Sequence, residues 1–252
     1  MAIRAVVFDM DGTVNVSRKY YEAYNTYAIP VLADFLNLSN EEVQSKMNAL
    51  RGIAIGFTKR VELMGMPRSA FYKEMAARVP CKDLIRPDPH LEVMLRELKT
   101  MGYKLGLLTN TGRPLVDKIM DALEFSAKLW DATVTSTETG LKPDDEPYIY
   151  VANKLGLMTE ECAYVGDRYE MEIATAKKLG MTTILLGNSL LEDSTRKGHS
   201  DYTVDSIYSI PAILRDTREK KANLATKSNS LRAQIIPLRL VSLLTHYTWH
   251  NA

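Results

Sequence analysis

The chain of 252 residues is long enough for one large domain, or for a core that carries an inserted second domain. Its 46% hydrophobic and 25% charged residues are ordinary for a globular protein, and 32 basic against 31 acidic residues give a net charge of +1. This balance gives no reason to expect a nucleic acid or a membrane surface as a partner. Two distant cysteines, Cys81 and Cys162, favour a reducing cytoplasm over a disulfide framework. Neither a signal peptide nor a transmembrane helix is expected, because no apolar run approaches about 18 residues.

The first predicted element is a buried parallel strand at residues 3–8, a valine-rich run that ends in the turn sequence Asp-Met-Asp-Gly. Helical patterns then follow at 20–36, 40–50, 56–64 and 68–79. Ser39 is a candidate N-cap of the second helix. The tyrosines at positions 20, 21, 24 and 27 are interpreted as core of this segment. We therefore predict an inserted helical domain at residues 17–86, called the helical insertion below.

From residue 87 onward, predicted strands and helices alternate. The strands are expected at 103–108, 130–135, 162–165, 182–186 and 202–204. The helices are expected at 90–100, 114–123, 146–155, 169–179 and 207–215. This alternation predicts an α/β fold, a Rossmann-like parallel sheet with helices on both faces. Residues 1–16 and 87–217 would form this core domain.

The segment 218–252 differs from the rest of the chain. It opens with a charged run and ends in an apolar stretch that contains Pro237, too short and interrupted to span a bilayer. It is interpreted either as a docked or frayed terminal helix, or as a disordered or appended segment outside the fold. No function is assigned to it.

Four groups of polar residues lie at the ends of predicted parallel strands: Asp9 with Asp11, Thr109 with Asn110, Lys142, and Asp167. The ligand crevice of an open parallel sheet lies outside these ends. Each group alone has an ordinary explanation as a turn former, a helix cap or a solvated charge. Together they point to a site, since carboxylates at one sheet edge repel one another unless a cation joins them.

These segments resemble the motifs of haloacid dehalogenase (HAD) superfamily hydrolases. The matching stretches are FDMDGTV (8–14), LLTNTG (107–112), GLKPDDEPY (140–148) and YVGDRYEMEIATAKKLGM (164–181). The resemblance extends over residues 3–214, and the helical insertion resembles the cap of the subgroup whose cap follows the first motif. It implies a Mg²⁺-dependent phosphatase that hydrolyses a small phosphorylated metabolite through an aspartyl-phosphate. The oligomeric state, monomer or homodimer, is left open by the sequence.

The resemblance also implies roles for single residues. Asp9 would be the nucleophile and Asp11 the general acid and base. Lys142 would place its charge against Asp9 and the phosphoryl oxygens. Thr109 would bind the phosphoryl group through its hydroxyl, and Asn110 through its backbone N–H.

The metal ligands implied are the carboxylates of Asp9 and Asp167 and the backbone carbonyl of Asp11. A further carboxylate is expected from Glu172, with Glu170 as the alternative. Arg168 is interpreted as an ion-pair partner of Glu172, with a phosphate contact as the alternative. Polar residues near the loops of the helical insertion are candidate substrate contacts: Arg51, Lys59, Arg60 and Asn15. Arg51 is favoured among them because it precedes a glycine, although a solvated surface arginine is the competing interpretation.

Other functions remain open from the sequence. A phosphonatase would need a lysine of the insertion near the substrate, for which Lys46 or Lys59 could be proposed. A phosphomutase would need a cap that retains the intermediate, and a non-catalytic binding protein would have lost a catalytic group. Among phosphatase substrates, glyceraldehyde 3-phosphate and phosphoglycolate are the first candidates. A dehalogenase is disfavoured by the presence of Asp11.

Overall fold

Six parallel strands form one sheet in the computed structural model, which describes residues 2–126, 128–187 and 199–220. The strands are β1 (Ala5–Phe8), β2 (Lys104–Leu108), β3 (Ala132–Val134), β4 (Cys162–Gly166), β5 (Thr182–Leu186) and β6 (Tyr202–Val204). Their order is β3-β2-β1-β4-β5-β6, so the first strand lies in the middle of the sheet. Ala5 pairs with Lys104 on one side and with Cys162 on the other. The predicted parallel α/β fold is confirmed.

Five helices lie between β1 and the next core helix. They are α1 (Arg18–Leu36), α2 (Asn40–Ala49), α3 (Phe57–Leu63), α4 (Arg68–Arg78) and the short α5 (Cys81–Leu84), which was not predicted. No strand occurs in the described stretch 17–86. The predicted cap at Ser39 is confirmed, because its hydroxyl accepts the Glu42 N–H and the Glu42 carboxylate accepts the Ser39 N–H.

The α-helices that follow the insertion, up to residue 187, are α6 (Pro89–Thr100), α7 (Arg113–Ala122), α8 (Asp145–Lys154) and α9 (Ala174–Lys178). The helix predicted at 169–179 differs from the observed one, since Tyr169–Ile173 forms a π-helical turn before α9. The strand predicted at 130–135 is shorter, and only 132–134 are paired. Buried side chains of β1, β4 and α8, including Tyr148 and Tyr164, form the core on one side of the sheet.

Residues 3–209 form one compact unit, and residues 210–220, which are helical, belong to a second. The helix predicted at 207–215 thus begins as a 3₁₀ turn at Ile207–Ser209 and continues in the second unit. Beyond residue 220 the predicted tail lies outside the described residues. Within the described ranges, no helix has the length and apolarity needed to cross a bilayer.

Candidate active site

The predicted catalytic groups meet at the carboxyl ends of three adjacent strands. Asp9 follows β1 directly, Thr109 follows β2 and Asp167 follows β4. Because β1 lies between β2 and β4, these side chains border the position where the strand order reverses. A cavity of about 590 Å³ opens there. Its lining from the sheet edge includes Asp9, Asp11, Thr109, Asn110, Thr111, Lys142, Arg168 and Glu170.

Lys142 is buried and joins the groups around Asp9. Its ammonium donates to Asp9 Oδ1 at 2.6 Å, to Glu172 Oε1 at 2.9 Å and to the Tyr164 hydroxyl at 3.0 Å. Burial alone would lower the pKa of Lys142, but the carboxylates of Asp9 and Glu172 outweigh it and raise the pKa. Lys142 is therefore protonated and supplies a fixed positive charge at the nucleophile.

Asp11 is held by two side chains. The Thr111 hydroxyl donates to Asp11 Oδ2 at 2.8 Å, and the Asn15 amide donates to Oδ1 at 3.3 Å. Burial raises the pKa of Asp11, and these two hydrogen bonds offset only part of that rise. A carboxyl with a raised pKa can carry the proton that a general acid must donate.

Asn110 links the loop after β2, residues 109–112, to the loop that carries Lys142. Its amide donates to the Lys142 carbonyl at 2.9 Å, and its side-chain oxygen accepts the Lys142 N–H at 2.8 Å. The sequence predicted only its backbone N–H as a functional group. The Thr109 hydroxyl oxygen accepts the Thr111 N–H at 3.0 Å, which leaves the Thr109 O–H to donate elsewhere.

The carboxylates of Asp9, Asp167 and Glu172 offer oxygens within 4.8 Å of one another, and all three side chains are buried. Asp9 Oδ2 is buried and has no hydrogen-bond partner among the described residues. Burial and the charge of Glu172 raise the pKa of Asp9, while Lys142 lowers it. Oxygen donors and excess negative charge are what a Mg²⁺ site offers, so the residues fit this cation.

Gly12 allows the two acidic segments to approach each other. A Cβ at this position would lie 2.3 Å from Asp167 Oδ2, and the residue has φ +98°. Only glycine adopts this conformation readily, and any side chain would displace the Asp167 carboxylate. The Asp-Met-Asp-Gly turn is thus required for the cluster to form.

Glu172 has protein partners for both oxygens. Oε1 accepts from Lys142, and Oε2 accepts the N–H groups of Asp167 at 3.2 Å and Arg168 at 3.4 Å. These contacts indicate that Glu172 acts through Lys142, although a metal contact stays a prediction. Arg168 lies 3.8 Å from Glu172, which agrees with the predicted ion pair. Glu170 is exposed at the cavity.

The helical insertion forms the other wall of the cavity. Arg51 lines it, as do the tyrosines at positions 20, 21 and 24, so the interpretation of these tyrosines as core alone was incomplete. Lys46 and Lys59 are both described, and both are exposed outside the lining. Neither is placed to form the covalent bond to the substrate that a phosphonatase needs.

Some functional contacts were missed by sequence reasoning. Thr111 and Asn15 hold Asp11, and Tyr164 contacts Lys142, but none of the three was assigned such a role. Thr111 is part of the predicted motif and could have been found there. Tyr164 lies inside a buried strand, where an aromatic residue gives no functional signal.

The chain matches the family model "haloacid dehalogenase-like hydrolase" over residues 3–180. It is 31% identical to the glyceraldehyde 3-phosphate phosphatase of Methanocaldococcus jannaschii, over 86% of this chain and 99% of that protein. It is 33% identical to the phosphoglycolate phosphatase of Salmonella choleraesuis over 38% of each chain. A crystal structure of a HAD phosphatase from Thermococcus onnurineus superposes with a TM-score of 0.63, at 22% identity, covering 84% of this chain and 98% of that one.

The chain therefore belongs to the haloacid dehalogenase-like hydrolase family. Within it, the chain is a hydrolase that acts on phosphate esters.

Proposed function

We propose that the protein hydrolyses a small phosphomonoester with Asp9 as the nucleophile and Asp11 as the general acid and base. The observation that carries this proposal is a pair of carboxyl groups, the buried Asp9 and the partly buried Asp11, in two different environments. Asp9 is hydrogen-bonded to the Lys142 ammonium, whereas Asp11 is held by the neutral donors Thr111 and Asn15. Because their environments differ, the two acids can take different roles, with Asp9 as the ionised nucleophile and Asp11 as the proton donor.

In the first step, an Asp9 carboxylate oxygen attacks phosphorus as the bond to the leaving oxygen breaks. Asp11 donates its proton to that oxygen, so a neutral alcohol leaves. Lys142 neutralises charge that gathers on the phosphoryl oxygens, and the Thr109 hydroxyl donates to one of them.

In the second step, the Asp11 carboxylate takes a proton from a water molecule, which attacks phosphorus. The bond between phosphorus and the Asp9 oxygen breaks and inorganic phosphate is released. Asp9 is again a free carboxylate, and Asp11 again carries a proton.

Mg²⁺ belongs to the proposal. Asp9, Asp167 and the Asp11 backbone carbonyl would hold it, and Glu172 supports the cluster. When bound, it supplies the positive charge that lets an anionic substrate approach an anionic nucleophile. The helical insertion, residues 17–86, would act as the cap over the core formed by 1–16 and 87–217. A cytoplasmic location is supported by the two free, buried thiols.

The test is phosphate release from small phosphomonoesters in the presence of Mg²⁺. We expect Asp9→Asn to lower kcat/KM at least about 10³-fold, because an amide cannot attack phosphorus. The exposed Asp83→Asn is the matched control and should retain full activity. Acid quenching of the wild type should give a phosphorylated peptide that contains Asp9. Full activity of Asp9→Asn would refute the proposed nucleophile.

A further inference from the structure

Two arginines of the helical insertion line the cavity that contains the catalytic carboxylates. They are Arg51, which is exposed, and Arg60, which is half-buried on the last turn of α3. In the described part of the chain, neither forms an ion pair. Their neighbours differ, since Lys59 and Arg68 both pair with Glu62, at 3.6 and 2.8 Å. Positive charge at the cavity is thus left without an acidic partner from the insertion.

The guanidinium of Arg60 carries an unmet hydrogen-bond donor. Its Nε is buried and has no partner among the described residues, and its side chain lies over the Phe57 ring at 5.6 Å. Burial and the nearby charge of Arg51 lower the pKa of Arg60. Leaving a buried donor of a charged group unpaired is costly, so a ligand that accepts from it would be bound favourably.

Tyr21 places these arginines in the same electrostatic field as the catalytic acids. It lines the cavity and is 42% exposed. Burial raises the pKa of its hydroxyl, the charge of Arg168 and more weakly that of Arg51 lower it, and the charges of Asp167 and Asp11 raise it. Because Asp9, Arg51 and Arg60 line the same cavity, a molecule in it can reach the phosphoryl site and the arginines together.

Resting on the proposed function, we infer that Arg60 and Arg51 form a subsite for a second anionic group of the substrate. The preferred substrate is then a small phosphomonoester whose leaving group carries a carboxylate or a second phosphate. Both anions match the planar, bidentate geometry of a guanidinium. A neutral leaving group, such as that of glyceraldehyde 3-phosphate, leaves the arginines unpaired and is disfavoured for that reason.

Three probes with the same two-carbon skeleton test this inference: phosphoglycolate, ethylene glycol bisphosphate and 2-hydroxyethyl phosphate. We expect the wild type to prefer at least one of the two anionic probes over the neutral one by about 10-fold or more in kcat/KM. Arg60→Gln should lower kcat/KM for that anionic probe by about 10- to 100-fold, and for the neutral probe by less than about 3-fold. Comparison of phosphoglycolate with ethylene glycol bisphosphate shows whether the arginines bind a carboxylate or a phosphate.

The matched control is Lys59→Gln, the neighbouring exposed cation outside the lining, which should keep the preference. Arg51→Gln, at an exposed position that tolerates substitution, should show the same selective loss even if Arg60→Gln folds poorly. The proposed subsite would be refuted if the wild type had equal kcat/KM for all three probes. It would also be refuted if both arginine variants lost kcat/KM equally on all three. Failure of the proposed function looks different, because Asp9→Asn would then hydrolyse every probe as well as the wild type.

Discussion

At the scale of single residues, Thr111 decides where the Asp11 carboxyl group points. Its hydroxyl is the closer of the two donors that hold Asp11, at 2.8 Å against 3.3 Å from Asn15. The acid must meet the leaving oxygen within hydrogen-bond reach, so a rotated carboxyl loses part of its effect.

Thr111→Val should therefore lower kcat/KM for an alkyl phosphate by about 10-fold. The loss should be smaller for p-nitrophenyl phosphate, whose leaving group needs little protonation. Thr111→Ser keeps the hydroxyl and should restore most of the activity on the alkyl phosphate. Steady-state rates on the two substrates measure this, and equal losses on both would show that Thr111 does not act through Asp11.

The residues that could be predicted from the sequence are those whose positions follow from strand ends. Asp9, Thr109 and Asp167 each come directly after an apolar run, and the parallel sheet brings them together. Contacts made across the fold could not be read in this way. Arg60 is an example: from the sequence it is one of several polar candidates near the insertion, and only the packing of α3 shows that it lines the cavity and has no acidic partner among the described residues.

At the scale of elements, the helical insertion contacts the loop after β2 through the backbone carbonyl of Asn110. The Thr58 hydroxyl on α3 and the Tyr72 hydroxyl on α4 lie 2.6 Å apart, and each is within hydrogen-bond distance of the Asn110 carbonyl, at 3.0 and 3.1 Å. The approach is close, since a Cβ at Gly112 would lie 2.5 Å from the Tyr72 ring. The Asn110 side chain in turn holds the backbone of Lys142.

We expect the double variant Thr58→Val with Tyr72→Phe to lower kcat/KM by about 3- to 30-fold, because Asn110 and Lys142 lose part of their support. Kinetics on one substrate measure this, and thermal unfolding reports any loss of stability. Tyr27→Phe, which changes a tyrosine of α1 outside the lining, is the control and should behave as the wild type. An unchanged rate would show that the two hydroxyls are dispensable.

The element boundaries were predictable where caps and glycines mark them. Ser39 begins α2 with a capping box, as its position before Glu42 predicts. The turn at Tyr169–Ile173 was not predictable, because Glu172 binds the N–H groups of Asp167 and Arg168 there. Tertiary hydrogen bonds of this kind override the helical pattern of the sequence.

At the scale of the whole molecule, a cation bound at the cluster of Asp9, Asp167 and Glu172 would couple its binding to folding. Buried like charges destabilise the folded chain, and a cation that binds only the folded state stabilises it by mass action. At a Mg²⁺ concentration 100 times Kd this amounts to about 2.7 kcal/mol.

Mg²⁺ should accordingly raise the Tm of the wild type by several degrees, measured by thermal unfolding with and without a chelator. Asp167→Asn should remove most of this rise, since it takes away an expected ligand. Glu172→Gln should keep the rise while losing activity, because its oxygens already have protein partners. A loss of the rise in Glu172→Gln alone would instead make Glu172 the metal ligand.

The central place of β1 has a consequence for synthesis on the ribosome. The strand is translated before both of its neighbours, β2 and β4, whose residues Lys104 and Cys162 pair with its Ala5. At about 5–20 residues per second, roughly 10–30 s pass before β4 is translated. The helices of the insertion can pack on one another during this interval, because their contacts are local in sequence. During this time β1 is an apolar strand without both of its partners. We therefore expect a nascent-chain chaperone to bind there.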